Sequence, residues 1–240
     1  MRKHLLAFLV AASVGAACGS AWAEPKLPDG WKLLYSQTFA SESAMKDFEF
    51  TDPNCWRLAK DDGGNCLEEF NKKSSYKPKV RSPFHIALIR DRLFGDFVLE
   101  AELLSTVAEY GHRDMCLFFG FVGPEKFYYC HMASKADPNA HNVFIVNDAP
   151  RAPITKTRTN GVKWGEGVWH KIRLERRLAD GTIKLYFDDS KEPIMCAEDK
   201  TFGEGRIGFG TFDDTGKFRN INVWGPSMKQ QKTPAAFGGK

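Results

Sequence analysis

The chain lacks cysteines at metal-binding spacing. None of its 6 cysteines stands in a C-x-x-C pair, which argues against a zinc or thioredoxin-like site. A strong charge of either sign is missing too: 34 Lys and Arg stand against 30 Asp and Glu. No basic face suited to nucleic acid or an anionic membrane emerges, because RSPFHIALIRDR and KIRLERR interleave charge with apolar residues as strands with one wet face do. Past residue 23 no apolar run is long enough to cross a bilayer, so a membrane span is not expected. Repeats and low-complexity blocks are absent. Helical periodicity is nearly so, and only SESAMKDF reads as a short helix, capped by Ser41 or Ser43.

The first residues, in contrast, have a clear character. Arg2 and Lys3 precede a short apolar run, and Ala21-Trp22-Ala23 has the A-x-A form of a cleavage site. Residues 1–23 are therefore expected to be a signal peptide and the mature protein secreted or periplasmic, with acylation at Cys18 as the alternative. Losing Arg2 and Lys3 lowers the formal net charge from +4 to +2. Residues 24–227 suffice for one well-buried domain, and residues 228–240 read as a disordered tail. Five cysteines remain after cleavage, an odd number that leaves at least one unpaired within the chain. Cys55 and Cys66 flank the polar WRLAKDDGGN segment and form the expected disulfide of an oxidising compartment.

The rest of the chain is strands. WKLLYSQTF, FGDFVLEAELLS, RDMCLFFGF, KFYYCHMA, HNVFIVND, VWHKIRLERR, GTIKLYFDD, GRIGFGTF and FRNINVWG are short, rich in aromatic and β-branched residues, and divided by Gly, Pro, Asp or Asn. That spacing predicts an all-β sandwich. Alternation assigns the faces: Phe97, Leu99, Ala101 and Leu103 point inward, while Glu100 and Glu102 occupy a solvated outer face. Ile172 and Leu174 point inward as well, mirrored after the Asp180-Gly181 turn by Ile183, Leu185 and Phe187, and His170 reads as a satisfied structural histidine.

One predicted hairpin carries polar residues oddly. With Pro124-Glu125 as its turn, Phe121 meets Tyr128, Phe119 meets Cys130 and Leu117 meets Met132, an apolar core face. The opposite face collects His112, Asp114, Cys116, Phe118 and Gly120 with Phe127, Tyr129 and His131, and Gly120 leaves room opposite Tyr129. Cys116 and Cys130 fall on opposite faces. Aromatic rings beside carboxylate and imidazole groups suit a sugar, whose C–H faces stack on rings while its hydroxyls are hydrogen-bonded. The expectation is an open carbohydrate cleft with Asp114, His131 and Tyr129 as catalytic candidates. His112, Phe118, Phe127, His141, Asn147 and Arg151 are the candidates for substrate binding.

GVWHKIRLERRLADGTIKLYFDD, followed by GRIGFGTFDDTGKFRNINVWG, resembles the closing strands of the concanavalin A-like lectin and glucanase superfamily. Within it the chain is most similar to the bacterial 3-keto-disaccharide hydrolase domain family over about residues 80–226. The resemblance implies a jelly-roll β-sandwich of two antiparallel sheets in an exported protein that cleaves or binds an oligo- or polysaccharide. Arg113-Asp114-Met115 stands where the family has Asn-Ser-Gly, and Tyr128-Tyr129-Cys130-His131 where it has Tyr-Glu-x-Gln. The family's Glu thus falls on Tyr129 and its Gln on His131. No Glu-x-Asp-x-x-Glu strand supplies the paired carboxylates, about 5 Å apart, of a retaining glucanase. The resemblance also implies a structural calcium, for which Asp213 and Asp214 in FDDTG offer hard oxygen ligands. A glycoside-cleaving hydrolase or lyase and a noncatalytic glycan-binding module are the two functional expectations.

Overall fold

The computed structural model describes residues 26–61 and 63–238. The expected signal peptide and the alternative at Cys18 lie outside the described residues. Two antiparallel sheets pack face to face, as the all-β jelly-roll expectation requires. In the nine-stranded sheet, Phe97–Ser105 lies between His170–Arg176 and Gly216–Gly225, and the hairpin of Trp56–Asp61 with Gly64–Glu69 closes one edge. The seven-stranded sheet is centred on Lys126–Ala133, Asp114–Gly123 and Arg206–Thr211, with Asn142–Asn147 beyond the first and His85–Ile89 beyond the last.

Alternation placed the core correctly except at Phe121. Phe97, Leu99, Ala101 and Leu103, with Ile172, Leu174, Ile183 and Leu185, face Leu117, Phe119, Tyr128, Cys130 and Met132 across the sandwich, all buried. His170 is held between Asp188 Oδ2 at 2.9 Å and the Trp164 carbonyl at 2.7 Å, a satisfied structural histidine. The short helix is a 3-10 turn, Glu42–Asp47, whose cap Ser41 accepts from the Ser43 N–H. Glu100 departs from expectation, since neighbours on the outer face cover it to 6 % exposure. Burial raises its pKa to about 7 against the opposing pull of Arg173 and Lys171.

The hairpin turn is where it was expected, with Gly123 opposite Lys126, but the register then changes. A bulge between Phe119 and Gly123 shifts the ladder by two residues, so Phe119 meets Tyr128, Phe118 meets Tyr129 and Leu117 meets Cys130. A two-residue shift preserves the faces below the bulge. Cys116 and Cys130 therefore lie on opposite sides of the sheet as expected, while Phe121 moves to the outer face. Gly120, at φ +55°, makes the bulge. It therefore does not open room over Tyr129, which Phe118 stacks instead with centroids 5.7 Å apart.

Three expectations are corrected, two by long-range packing and one by a local hairpin. The outer face of the hairpin is not an open floor: Phe118, Phe127, Phe121 and Tyr129 form a second apolar cluster, on which Tyr76, Val80, Ala236 and Phe237 pack. The segment expected as a disordered tail supplies part of that cover. Met228–Gln230 pairs with Arg92–Phe94, and the Ala236 and Phe237 N–H groups donate to Glu49 Oε1. The Cys55–Cys66 disulfide is not formed, and both are free buried thiols. Trp56–Asp61 and Gly64–Glu69 pair as antiparallel strands in which Cys66 lies opposite Ala59, four residues along from Cys55. The strand from Trp56 to Ala59 alone covers about 10 Å, beyond the roughly 7 Å a disulfide spans.

Candidate functional site

One part of the outer face stays open. Past the apolar cover, the hairpin face ends in a cleft of about 140 Å³ lined by Asp114, His131, Arg151 and Phe212 together with Arg81, Tyr110, His112, Asn139 and Asp213. Asp114 begins its strand and His131 lies near the end of the neighbouring one, so ladder pairing brings them to the same rim.

Asp114 is fully buried and tightly set. Its Oδ2 accepts from the Phe212 N–H at 2.9 Å and from the Cys116 thiol at 3.2 Å, and lies 3.3 Å from His131 Nε2. Its own N–H donates to Asp214 Oδ2 at 3.0 Å. Asp114 Oδ1 and both ring nitrogens of His131 have no hydrogen-bond partner. Orphaned buried polar atoms cost about 1–3 kcal/mol each, a penalty that a bound group would relieve. The His131 ring sits among aromatic rings, 6.1 Å from Phe144 and 6.0 Å from Phe212.

Arg151 closes the other side. Its guanidinium lies over Phe144 at 4.5 Å and Phe212 at 4.2 Å, and donates to the Tyr129 hydroxyl and to the Asn139 carbonyl, each at 2.8 Å. Tyr129 therefore lies beneath Arg151 rather than in the cleft, and burial raises its pKa well above the ordinary value. Burial, then the neighbouring Asp114 carboxylate, likewise keeps the Cys116 thiol protonated. His112, at the rim, pairs with Asp137.

The structure thus brings together Asp114, His131, His112, Arg151 and Asp213 from the expected set, with Tyr129 one layer below. Others are elsewhere. Phe118 and Phe127 lie under the apolar cover, and Asn147 pairs with Lys126 at the far end of its strand. His141 is buried, with Nε2 2.9 Å from Thr159 Oγ1 and Nδ1 accepting from the Ala133 N–H. Asp214 is committed to the protein: it takes Lys72 at 3.1 Å, the Tyr110 hydroxyl at 2.8 Å and the Asp114 N–H, so it offers calcium little. Asp213 stays at the rim, its pKa raised by partial burial and by the Asp114 and Asp214 charges. Arg81, Tyr110, Asn139 and Phe212 were missed. Phe212 adjoins Asp213 and Tyr110 lies two residues before His112, a usable signal, whereas nothing local marks Arg81.

No family model matches the chain, and no curated protein matches it. Solved structures do. A protein of unknown function with a galectin-like fold from Bacillus subtilis aligns at TM-score 0.55 and 13 % identity, over 85 % of this chain and 100 % of its own. The carbohydrate binding module CBM66 from Bacillus subtilis aligns at 0.51 and 16 %, over 76 % and 95 %. Domain 4 of the extracellular arabinanase AbnA from Geobacillus stearothermophilus, solved with arabinotriose, aligns at 0.51 and 10 %, over 86 % and 97 %. The fold is that of lectin-like, concanavalin A-like β-sandwiches.

Proposed function

We propose that the protein recognises carbohydrate and that the cleft receives one sugar residue. The observation that carries this reading is the convergence in about 140 Å³ of two guanidinium groups, two imidazoles, two carboxylates and two aromatic rings. Donors and acceptors for hydroxyls thus stand beside a ring for a C–H face. Sites for larger ligands run to about 300–1,000 Å³, so a terminal residue fits better than a chain lying along the sheet. The named fold neighbours that bind saccharides support the reading, and export through the expected leader to a secreted or periplasmic location suits it. Cell fractionation tests the location.

A glycan array followed by calorimetry tests the binding. Arg151→Ala removes both the stack and two hydrogen bonds, and should weaken the best ligand at least tenfold while circular dichroism shows the fold retained. Wild-type affinity in that variant would move the site elsewhere.

Cleavage is the second reading, favoured by one observation: Asp114 and His131 are buried 3.3 Å apart with unpartnered atoms, an arrangement able to orient an imidazole as a general base. Wild-type protein should then release sugar from 3-keto or unmodified disaccharides, and His131→Gln should not. Tight binding without turnover decides for a noncatalytic glycan-binding module.

A further inference from the structure

Three side chains below the cleft offer three different donor atoms. Asp114 and Cys116 are two residues apart on one strand and share a face, and Cys116 pairs across the ladder with His131. Cys116 Sγ lies 3.2 Å and His131 Nε2 3.3 Å from Asp114 Oδ2, and one ligand atom from each residue lies within 4.8 Å of the other two. No other group of three or more His, Cys, Asp or Glu is gathered this closely among the described residues. Ligand atoms held at about 2.0–2.3 Å around a tetrahedral ion stand roughly 3.3–3.8 Å apart, so only small adjustments are needed.

Protein contacts leave the group incomplete. His131 is 3 % exposed with neither ring nitrogen hydrogen-bonded, and Asp114 Oδ1 is orphaned inside a fully buried side chain. The supporting contacts are nonetheless in place, for the Phe212 N–H fixes the Asp114 carboxylate and Asp214 fixes its backbone. Outer contacts of this kind hold ligands ready for an ion.

The geometry points to a transition-metal site formed by Asp114, Cys116 and His131, suited to zinc or a similar divalent ion, with a fourth coordination position open to the cleft. A thiolate, an imidazole and a carboxylate suit zinc, whereas calcium takes about six to eight oxygens. The site therefore differs in place and chemistry from the calcium expected at Asp213 and Asp214. It also shows what the lack of C-x-x-C spacing could not exclude, because it takes one cysteine and draws its ligands from two strands. Three protein ligands and one open position are the arrangement of zinc sites that act on a bound molecule. Binding would remove the thiol proton.

The inference goes beyond the carbohydrate reading and does not depend on it, since metal uptake is measured with no saccharide present. Reduced, chelator-treated protein titrated with Co²⁺ should develop a sulfur-to-cobalt charge-transfer band that saturates at one equivalent. Zn²⁺ should then abolish the band and raise the thermal midpoint. Cys116→Ser should lose the band and bind cobalt at least tenfold more weakly, while Cys196→Ser, on the other sheet, should behave as wild type. Should Cys116→Ser fail to fold, zinc-edge X-ray absorption of the wild-type protein decides, with one sulfur neighbour at about 2.3 Å expected. Absence of a cobalt band in the wild type, a zinc shell without sulfur, or a band that persists in Cys116→Ser would overturn the assignment.

Discussion

His141 shows how one buried residue makes the whole protein sensitive to acid. Burial lowers its pKa to about 4, and the Arg158 guanidinium acts in the same direction. The unfolded chain takes up this proton near the ordinary histidine value of about 6.5. Between those two values the unfolded state binds more protons, so the contribution is fully present above about pH 6.5 and is lost as the pH falls toward 4. The loss is on the order of 2–3 kcal/mol. Urea midpoints measured at pH 7 and pH 4.5 should diverge in the wild type and converge in His141→Gln. Equal divergence in both proteins would reject the assignment. His85, whose pKa burial also lowers, keeps a residual slope of the same sign.

The hairpin of Asp114–Gly123 and Lys126–Ala133 is the element on which the site depends, and both its faces are packed. Phe119→Ala and Leu117→Ala on the inner face should each cost about 2–5 kcal/mol. Phe118→Ala on the outer face should cost a similar amount, because the second apolar cluster encloses it. Denaturant titration of the three variants checks this, and a near-neutral Phe118→Ala would mean that the cover is loose. Gly120 governs the register. A methyl group there would sit 3.1 Å from Tyr128 Cδ2 with the backbone at φ +55°, so Gly120→Ala should cost about 1–3 kcal/mol.

Across the whole molecule, segments distant in the chain decide how much of the sheet face is open. Phe237 packs edge-on against Tyr76 with centroids 5.4 Å apart and against Phe121 at 5.7 Å, joining the 70–84 loop region to the last residues over the seven-stranded sheet. Truncation after Gln230 should uncover Phe121 and Phe127, lowering the thermal midpoint and raising the fluorescence of a hydrophobic dye such as ANS. Unchanged values in both measurements would show that these residues cover nothing of consequence. The cover leaves the cleft, rather than the length of this sheet face, open to solvent.

Local pattern was enough for the sandwich, the inward residues other than Phe121 and the location of the hairpin turn, because strand alternation of period two is a property that each segment states for itself. It also singled out Asp114, His131, His112 and Arg151, which line one cleft, the first two because strands that pair across a short turn bring their shared faces together. It could not give the bulge at Gly120, the separation of Cys55 from Cys66 along a hairpin, or the burial of Phe118, Phe127 and Tyr129. The burial depends on contacts between residues far apart in the chain, such as Phe121 with Phe237, whereas the bulge and the cysteine spacing are set within hairpins whose exact register local alternation does not state. Tertiary structure alone decided that an aromatic face would be a second core and that Arg81, with no local mark, would line the cleft that remains. Apolar surface is removed from water by whichever distant segment can reach it, and no local pattern records which one does.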